Sequence, residues 1–184
     1  MYTGRCAGEK FMRVCVLFFS TRLKAVFNIG AALALMVGAQ AWAAELTPNV
    51  FSIALKSLQA PETTSLSQFH NKSLVVSFFE PDCPWCYRQI LMLNDVQQRC
   101  SDQLQVILIG TQGTRQQLQN ELRRSKTLLP AFASSSALLQ LTGPIRATPV
   151  TFIFNGQGVK VAELKGFAPQ SAILDGICRA QVVP

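Results

Sequence analysis

Histidine is almost missing from this sequence, since His70 is the only one among 184 residues. A structural zinc site needs about four nitrogen or sulfur ligands, so cysteine would have to supply nearly all of them here. From residue 44 onward the chain has four cysteines, of which only the first two are closely spaced: Cys83, Cys86, Cys100 and Cys178. The sequence therefore has too few suitably spaced ligands to predict a zinc site, and we predict no role for His70.

Acidic residues are also scarce, and 17 lysines and arginines outnumber 10 acids to give a net charge of +7. Much of this excess lies before residue 44, because the rest of the chain has 12 basic and 9 acidic residues. The remaining cluster, Arg123, Arg124 and Lys126, falls at the end of a predicted helix, where cations suit the helix dipole. No aromatic residues alternate with these charges, so the sequence predicts a solvated helix end and no nucleic-acid-binding surface.

A hydrophobic run long enough to span a membrane is missing near the N-terminus. The apolar stretch over residues 26–39 is shorter than the ~20 residues that a spanning helix needs. Basic residues precede it, and Ala41-Trp42-Ala43 follows it with a small residue at each end. This order is that of a secretory signal peptide. We therefore predict a leader over residues 1–43 and a mature domain over 44–184, with an uncleaved membrane anchor as the alternative.

The mature domain shows alternating strand and helix patterns. Short apolar runs, rich in β-branched and aromatic residues, predict three buried strands: residues 74–79, 104–109 and 150–154. Helical patterns cover four segments: residues 84–99, 114–126, 134–141 and 169–179. Asn155-Gly156-Gln157-Gly158 predicts a hairpin turn before a last strand, residues 159–164. This order predicts an α/β domain with a mixed sheet.

Cys83-Pro84-Trp85-Cys86 lies directly after a predicted buried strand and at the start of a helix. A helix N-terminus carries unpaired N–H groups and a partial positive charge, which stabilise a thiolate. The pKa of Cys83 is therefore expected to fall below that of a free thiol, and Pro84 is expected to tune the site. Cys86, one turn further on, can attack a mixed disulfide formed at Cys83 and release the bound partner. The motif predicts a redox-active pair, with an inert disulfide as the alternative.

A second motif, Arg146-Ala147-Thr148-Pro149-Val150, precedes the third predicted buried strand. Together the two motifs resemble the thioredoxin fold, in which a Thr-Pro bond at this place is cis and faces Cys-x-x-Cys. Residues 51–55 and 65–72 resemble the opening hairpin and turn of the redoxin/TlpA-like (DsbE-like) branch of that fold, and residues 148–158 resemble its later motif. The resemblance covers nearly all of the mature domain.

The resemblance implies a thioredoxin-like fold with a central mixed sheet, flanking helices and an N-terminal hairpin extension. It implies disulfide exchange with protein substrates, in which Cys83 attacks and Cys86 resolves. It implies substrate contacts at Thr148 and Pro149, and no metal or organic cofactor. Trp85 lies between the cysteines on a turn that is expected to be exposed, where its ring can contact a substrate protein; shielding of Cys86 is the alternative. Electrons are expected to come from or pass to a membrane redox protein, and the predicted leader places the reaction in the periplasm. Reductase, isomerase and oxidase directions all fit.

Several positions depart from the pattern of these relatives. TlpA-like proteins often carry Glu and Pro three and five residues after the second cysteine, where this sequence has Gln89 and Leu91. Thioredoxin has a buried Asp six residues before its first active cysteine, where this sequence has Ser77. A buried proton acceptor for Cys86 is therefore missing from its usual position. Glu80 is the nearest candidate to substitute. It is otherwise expected to tune the Cys83 thiolate unfavourably through its like charge, or to be a solvated loop acid.

Two other functions on the same fold stay open as alternatives. Peroxiredoxins resemble the chain in its opening motif, but they carry Thr three residues before the peroxidatic cysteine, where Glu80 stands here. Copper-binding assembly proteins use Cys-x-x-x-Cys and a distal His, whereas this chain has a two-residue spacer and no histidine after His70.

The last two cysteines lie at the ends of two predicted helices: Cys100 directly after the helix over residues 84–99, and Cys178 near the end of the helix over residues 169–179. In the thioredoxin fold these helices lie on one face of the sheet and run the same way. The resemblance therefore implies that Cys100 and Cys178 can form a structural disulfide away from the active site. Two buried free thiols are the alternative, because cysteine packs well as a small apolar residue.

Overall fold

The fold is described from a computed structural model of the chain, which covers residues 49–175 and residue 177. The predicted leader, residues 1–43, and the last cysteine, Cys178, lie outside the described residues. Within those residues, no helix has both the length and the hydropathy that crossing a bilayer requires.

A short hairpin begins the described chain, as the resemblance implied. Strands β1 (Ala54–Lys56) and β2 (Thr63–Ser65) pair in antiparallel fashion. A 3₁₀ turn stands on either side of the hairpin, over Val50–Ser52 and Leu66–Phe69. Short polar side chains cap both turns, because their oxygens can accept from backbone N–H groups that the turns leave unpaired.

A five-stranded mixed sheet forms the centre of the fold. Its strands are β3 (Ser73–Phe79), β4 (Leu104–Gly110), β5 (Ala131–Ala133), β6 (Val150–Phe154) and β7 (Lys160–Lys165). The order is β5-β4-β3-β6-β7, with β3, β4 and β5 parallel and β6 and β7 antiparallel to their neighbours. β3, β4 and β6 are buried along nearly their whole length. Burial on both faces explains why these strands have continuous apolar sequences rather than alternating ones.

Helices cover both faces of the sheet. They are α1 (Pro84–Cys100), α2 (Arg115–Arg124), α3 (Ser136–Thr142) and α4 (Gln170–Leu174). Thr114 and Gln117 form a capping box at the start of α2, in which each side chain bonds the backbone of the other residue. Ser135 caps α3 through a bond from the Leu138 N–H.

Two apolar clusters fill the space on the two faces. On one face α1 contributes Ile90 and Leu93, which join Val75 of β3. On the other face Phe78 and Phe152 meet edge to face, with ring centroids 5.8 Å apart. Because successive strand residues point to opposite faces, one run of β3 supplies both clusters.

The predicted α/β order is confirmed, but β5 was missing from the sequence-based prediction. It has only three residues, two of them alanine, and alanine has little preference for strands. Long-range pairing creates it: Ala131 pairs with Leu108 of β4, and Phe132 forms a bridge with Ser57. The last helix also ends earlier than predicted, at Leu174, and the residues after 177 lie outside the described part.

Candidate active site

Cys83 and Cys86 form a disulfide at the start of α1, with Cα atoms 5.2 Å apart. Cys83 is the N-cap of the helix, and Pro84 occupies the first turn, where a missing N–H removes no helical bond. The backbone N–H of Cys86 donates to the Cys83 sulfur, with N and Sγ 3.1 Å apart. The Cys83 sulfur therefore lies where N–H groups of the first turn can stabilise negative charge on it.

The two sulfurs differ in their access to solvent. Cys83 is 9% exposed, whereas Cys86 is 2% exposed and belongs to the core cluster on the α1 face. Trp85, between them, is 55% exposed. An incoming partner can therefore reach Cys83 before Cys86.

Thr148 lies against the disulfide, although it is far from it in sequence. The Thr148–Pro149 peptide bond is cis. The Thr148 hydroxyl donates to the Cys83 sulfur over 3.8 Å, and the Thr148 carbonyl oxygen lies 3.9 Å from the same atom. The structure thus brings Thr148, which the cis bond joins to Pro149, into contact with Cys83.

A neutral pair fills the position where thioredoxin has a buried acid. Ser77 of β3 and Thr151 of β6 are buried, and their hydroxyl oxygens are 3.0 Å apart. Glu80, the predicted substitute acid, is half-buried in the segment between β3 and Cys83. Its tuning role stays a prediction.

A buried carboxylate that the sequence analysis missed lies beside the active-site turn. Glu121 of α2 is buried, and its Oε1 lies 3.5 Å from the backbone N of Asp82. Its Oε2 accepts from Arg124 at 2.7 Å, and the Arg124 guanidinium stacks 4.9 Å from the ring centroid of Tyr87 on α1. Glu121 thus joins α2 to the residue that precedes Cys83. The sequence could have indicated this burial, because Glu121 lies on the same face of the helix as Leu118, which is buried.

A second exposed aromatic ring stands beside Trp85. Phe167, in the loop between β7 and α4, is 41% exposed, and its ring centroid is 6.2 Å from that of Trp85. The Arg88 guanidinium lies over the Trp85 ring, 4.8 Å from its centroid. Trp85 was predicted to contact substrate from its place in the motif. No sequence pattern pointed to Phe167.

Gln89, where relatives often have glutamate, is buried beneath this loop. Its Oε1 accepts from the backbone N–H of Ala168 at 2.8 Å. Its Nε2 has no hydrogen-bond partner among the described residues. The amide therefore satisfies one backbone donor but leaves one of its own groups unpaired.

The other ligand-type side chains form no further site within the described residues. No group of three or more His, Cys, Asp or Glu side chains there is arranged to hold a metal ion. His70 bonds Asn71 over 2.8 Å and tilts against the Phe51 ring. Cys100, at the end of α1, is disulfide-bonded. Its predicted partner Cys178 lies outside the described residues, so that pairing stays a prediction.

The family model that matches this sequence is the one described as Redoxin, and it matches residues 37–166. No curated protein matches the chain. Solved structures do match: a secreted disulfide oxidoreductase of Mycobacterium tuberculosis, homologous to Escherichia coli DsbE, has a TM-score of 0.55 at 14% identity. The match covers 67% of this chain and 92% of that one.

Two further structures are similar. A thiol:disulfide interchange protein of the thioredoxin family from Chlorobium tepidum has a TM-score of 0.60 at 18% identity, over 71% of this chain and 94% of that one. A DsbF homologue from Corynebacterium diphtheriae has a TM-score of 0.62 at 17% identity, over 69% and 83%. These likenesses confirm the thioredoxin-like fold. Since the family model spans most of the sequence, the chain belongs to the redoxin family.

Proposed function

We propose that this protein is an exported thiol–disulfide oxidoreductase that exchanges disulfides with other proteins through Cys83 and Cys86. One observation carries the proposal: a Cys-x-x-Cys disulfide caps the first turn of α1, with its outer sulfur in contact with Thr148. Family membership supports redox chemistry in general.

In the reductive direction, the reaction begins with the Cys83 thiolate. It attacks one sulfur of a substrate disulfide, so that a Cys83–substrate bond forms and the other substrate sulfur leaves as a thiolate. Cys86 then attacks the Cys83 sulfur, the internal disulfide forms, and the second substrate sulfur leaves. Two electrons have passed to the substrate, and its thiolates take up protons from the solvent or the enzyme. The oxidative direction is the reverse.

The proposal gives the two cysteines different roles. The Cys86 N–H, 3.1 Å from the Cys83 sulfur, can donate to a thiolate at that atom. A thiolate stabilised in this way is both the nucleophile and the better leaving group. Cys86 is nearly inaccessible to solvent, and it acts only after Cys83 has bonded to the substrate, when it attacks the Cys83 sulfur.

Thr148 is proposed as the docking point for an extended segment of substrate. Its hydroxyl and carbonyl oxygens both face Cys83, 3.8 and 3.9 Å from the sulfur. A substrate backbone that bonds there would place its own cysteine beside Cys83, as in other complexes formed by strand addition. Pro149 fixes the end of this segment next to β6.

Export is part of the proposal. The predicted leader over residues 1–43 supports it, and a protein of the same fold is described as secreted. Disulfides persist in such oxidising compartments. A membrane redox protein is the proposed partner that restores the working oxidation state.

The test is turnover with a model protein disulfide. The purified chain should accelerate the reduction of insulin by dithiothreitol, and both Cys83→Ser and Cys86→Ser should abolish the acceleration. Cys86→Ser should also accumulate a mixed disulfide with insulin on a non-reducing gel, whereas the matched variant Cys83→Ser should not.

Two results would contradict the proposal. Undiminished turnover by Cys83→Ser would place the chemistry elsewhere. Rapid consumption of hydrogen peroxide by the reduced protein, without exchange on insulin, would favour a peroxidase instead.

A further inference from the structure

The loop between β7 and α4 is hydrogen-bonded on both sides of Phe167. The Gly166 N–H donates to the carbonyl oxygen of Pro149 at 2.9 Å. The Ala168 N–H donates to Gln89 Oε1 at 2.8 Å. Phe167 is therefore held between the proline of the proposed docking segment and the helix that carries the cysteines.

The ring that is held in this way remains open to solvent. Phe167 is 41% exposed and its centroid lies 6.2 Å from that of Trp85, within the range in which aromatic rings interact. Arg88 covers part of Trp85 but makes no ring contact with Phe167 among the described residues. Aromatic side chains are enriched in protein interfaces, and a few such buried anchors carry most of the binding energy.

The buried amide of Gln89 lowers the stability of the fold unless its hydrogen bond to this loop compensates. It is buried, and its Nε2 has no partner among the described residues, which lowers stability. An aliphatic side chain of similar size would avoid that cost, but it would leave the Ala168 N–H without its acceptor. The gain from the amide is thus the fixed position of the loop.

We propose that Phe167 is a specificity-determining contact of the exchange reaction and that Gln89 is the positioning residue that holds it. The preferred substrates are protein segments with a bulky apolar residue next to the cysteine. A segment docked at Thr148, with its sulfur at Cys83, would place that neighbouring side chain over Phe167 and Trp85. This inference rests on the proposed function.

The test compares two peptide disulfides on the same enzyme. The peptides differ in one position beside their cysteine, leucine in one and serine in the other, and each is joined to thionitrobenzoate. The two thiols of the reduced protein give two electrons to the disulfide, the Cys83–Cys86 bond forms, and peptide thiol and coloured thionitrobenzoate leave. The measured quantity is the ratio of kcat/KM for the leucine peptide to that for the serine peptide.

We expect a ratio of about fivefold for the unaltered chain, since part of the leucine side chain would be buried. Phe167→Ala should lower the ratio towards one. Gln89→Met should do the same, whereas Gln89→Glu keeps an oxygen for the Ala168 N–H and should keep the ratio. If one of these changes alters the reactivity of the thiols, it alters the rates with both peptides by the same factor, so the effect cancels in the ratio.

Val161→Ala is the matched control, because it removes an exposed apolar side chain from β7 and should leave the ratio unchanged. Equal rates with both peptides, or a ratio that survives Phe167→Ala, would overturn this inference and leave the proposed function intact. A ratio lost in Gln89→Glu as well as in Gln89→Met would refute the positioning role. An unaltered chain that reacts with neither peptide would refute the proposed function and this inference with it.

Discussion

The hydroxyl pair of Ser77 and Thr151 offers a sharp test of how the sheet is held together beneath the active site. The two residues are direct cross-strand partners of β3 and β6, both are buried, and their oxygens are 3.0 Å apart. Ser77→Ala and Thr151→Val each remove one hydroxyl with little change of shape. The double variant removes both.

The expected energies follow from the burial of the pair. Each single change leaves the other hydroxyl buried without this partner, which costs about 1–3 kcal/mol. The double variant removes both polar groups, so its loss should be no larger than that of one single variant. The coupling energy, which is the sum of the two single losses minus the double loss, is then at least as large as one single loss, about 1–3 kcal/mol.

Urea unfolding of the oxidised protein measures these differences, provided that the slope with denaturant is the same for all variants. The exposed pair of Ser65 and Ser67, with oxygens 2.8 Å apart, is the control, because water can replace either hydroxyl. Its coupling energy should be near zero. If the losses of Ser77→Ala and Thr151→Val simply add in the double variant, the buried bond does not contribute as argued.

Three further predictions concern the cysteines and one glycine, Gly113. In the reduced protein iodoacetamide should modify Cys83 before Cys86, because Cys83 is the more exposed of the two, and equal rates in mass spectrometry would contradict their proposed roles. With both of these replaced by serine and the predicted leader removed, Cys100 and Cys178 should take up no alkyl group under denaturing, non-reducing conditions. Loss of that bridge should cost about 4–5 kcal/mol in the chain-entropy model, and two added groups would reject it. Gly113→Ala should lower stability by about 1 kcal/mol or more in thermal unfolding, because Gly113 has φ +134°, and an unchanged melting temperature would contradict this.

The parts of the fold that could be predicted are those whose signal is local. The three buried strands show apolar runs, and the turn before β7 shows Asn155 and Gly158, which the structure uses directly. Asn155 Oδ1 accepts from two backbone N–H groups of the turn, and Gly158 has φ +83°. β5 could not be found in this way, because its pairing with β4 depends on residues far away in the sequence.

The same distinction applies to the site. Cys83 and Cys86 were found because their spacing and the helix start are visible in four residues. Phe167 was missed because its position depends on two hydrogen bonds between distant segments, from the Gly166 N–H to the Pro149 carbonyl and from the Ala168 N–H to the Gln89 side chain. Gln89 could be identified as a departure from the relatives' pattern, but its contact with a loop 79 residues away could not.

The register between β3 and β6 is what places Thr148 beside Cys83. The strands are antiparallel, so the end of β3 and the start of β6 meet at one edge, and Phe78 pairs with Val150 there. A shift of one residue would turn every side chain of β6 to the opposite face and move Thr148 away from the sulfur. The buried bond of Ser77 opposes such a shift, since only Thr151 among the β6 residues can return its hydroxyl contact. A neutral pair at this position therefore aligns the site, where thioredoxin instead uses an acid to accept protons. It follows that Ser77→Ala should affect the contact between Cys83 and Thr148 only if it also loosens the register.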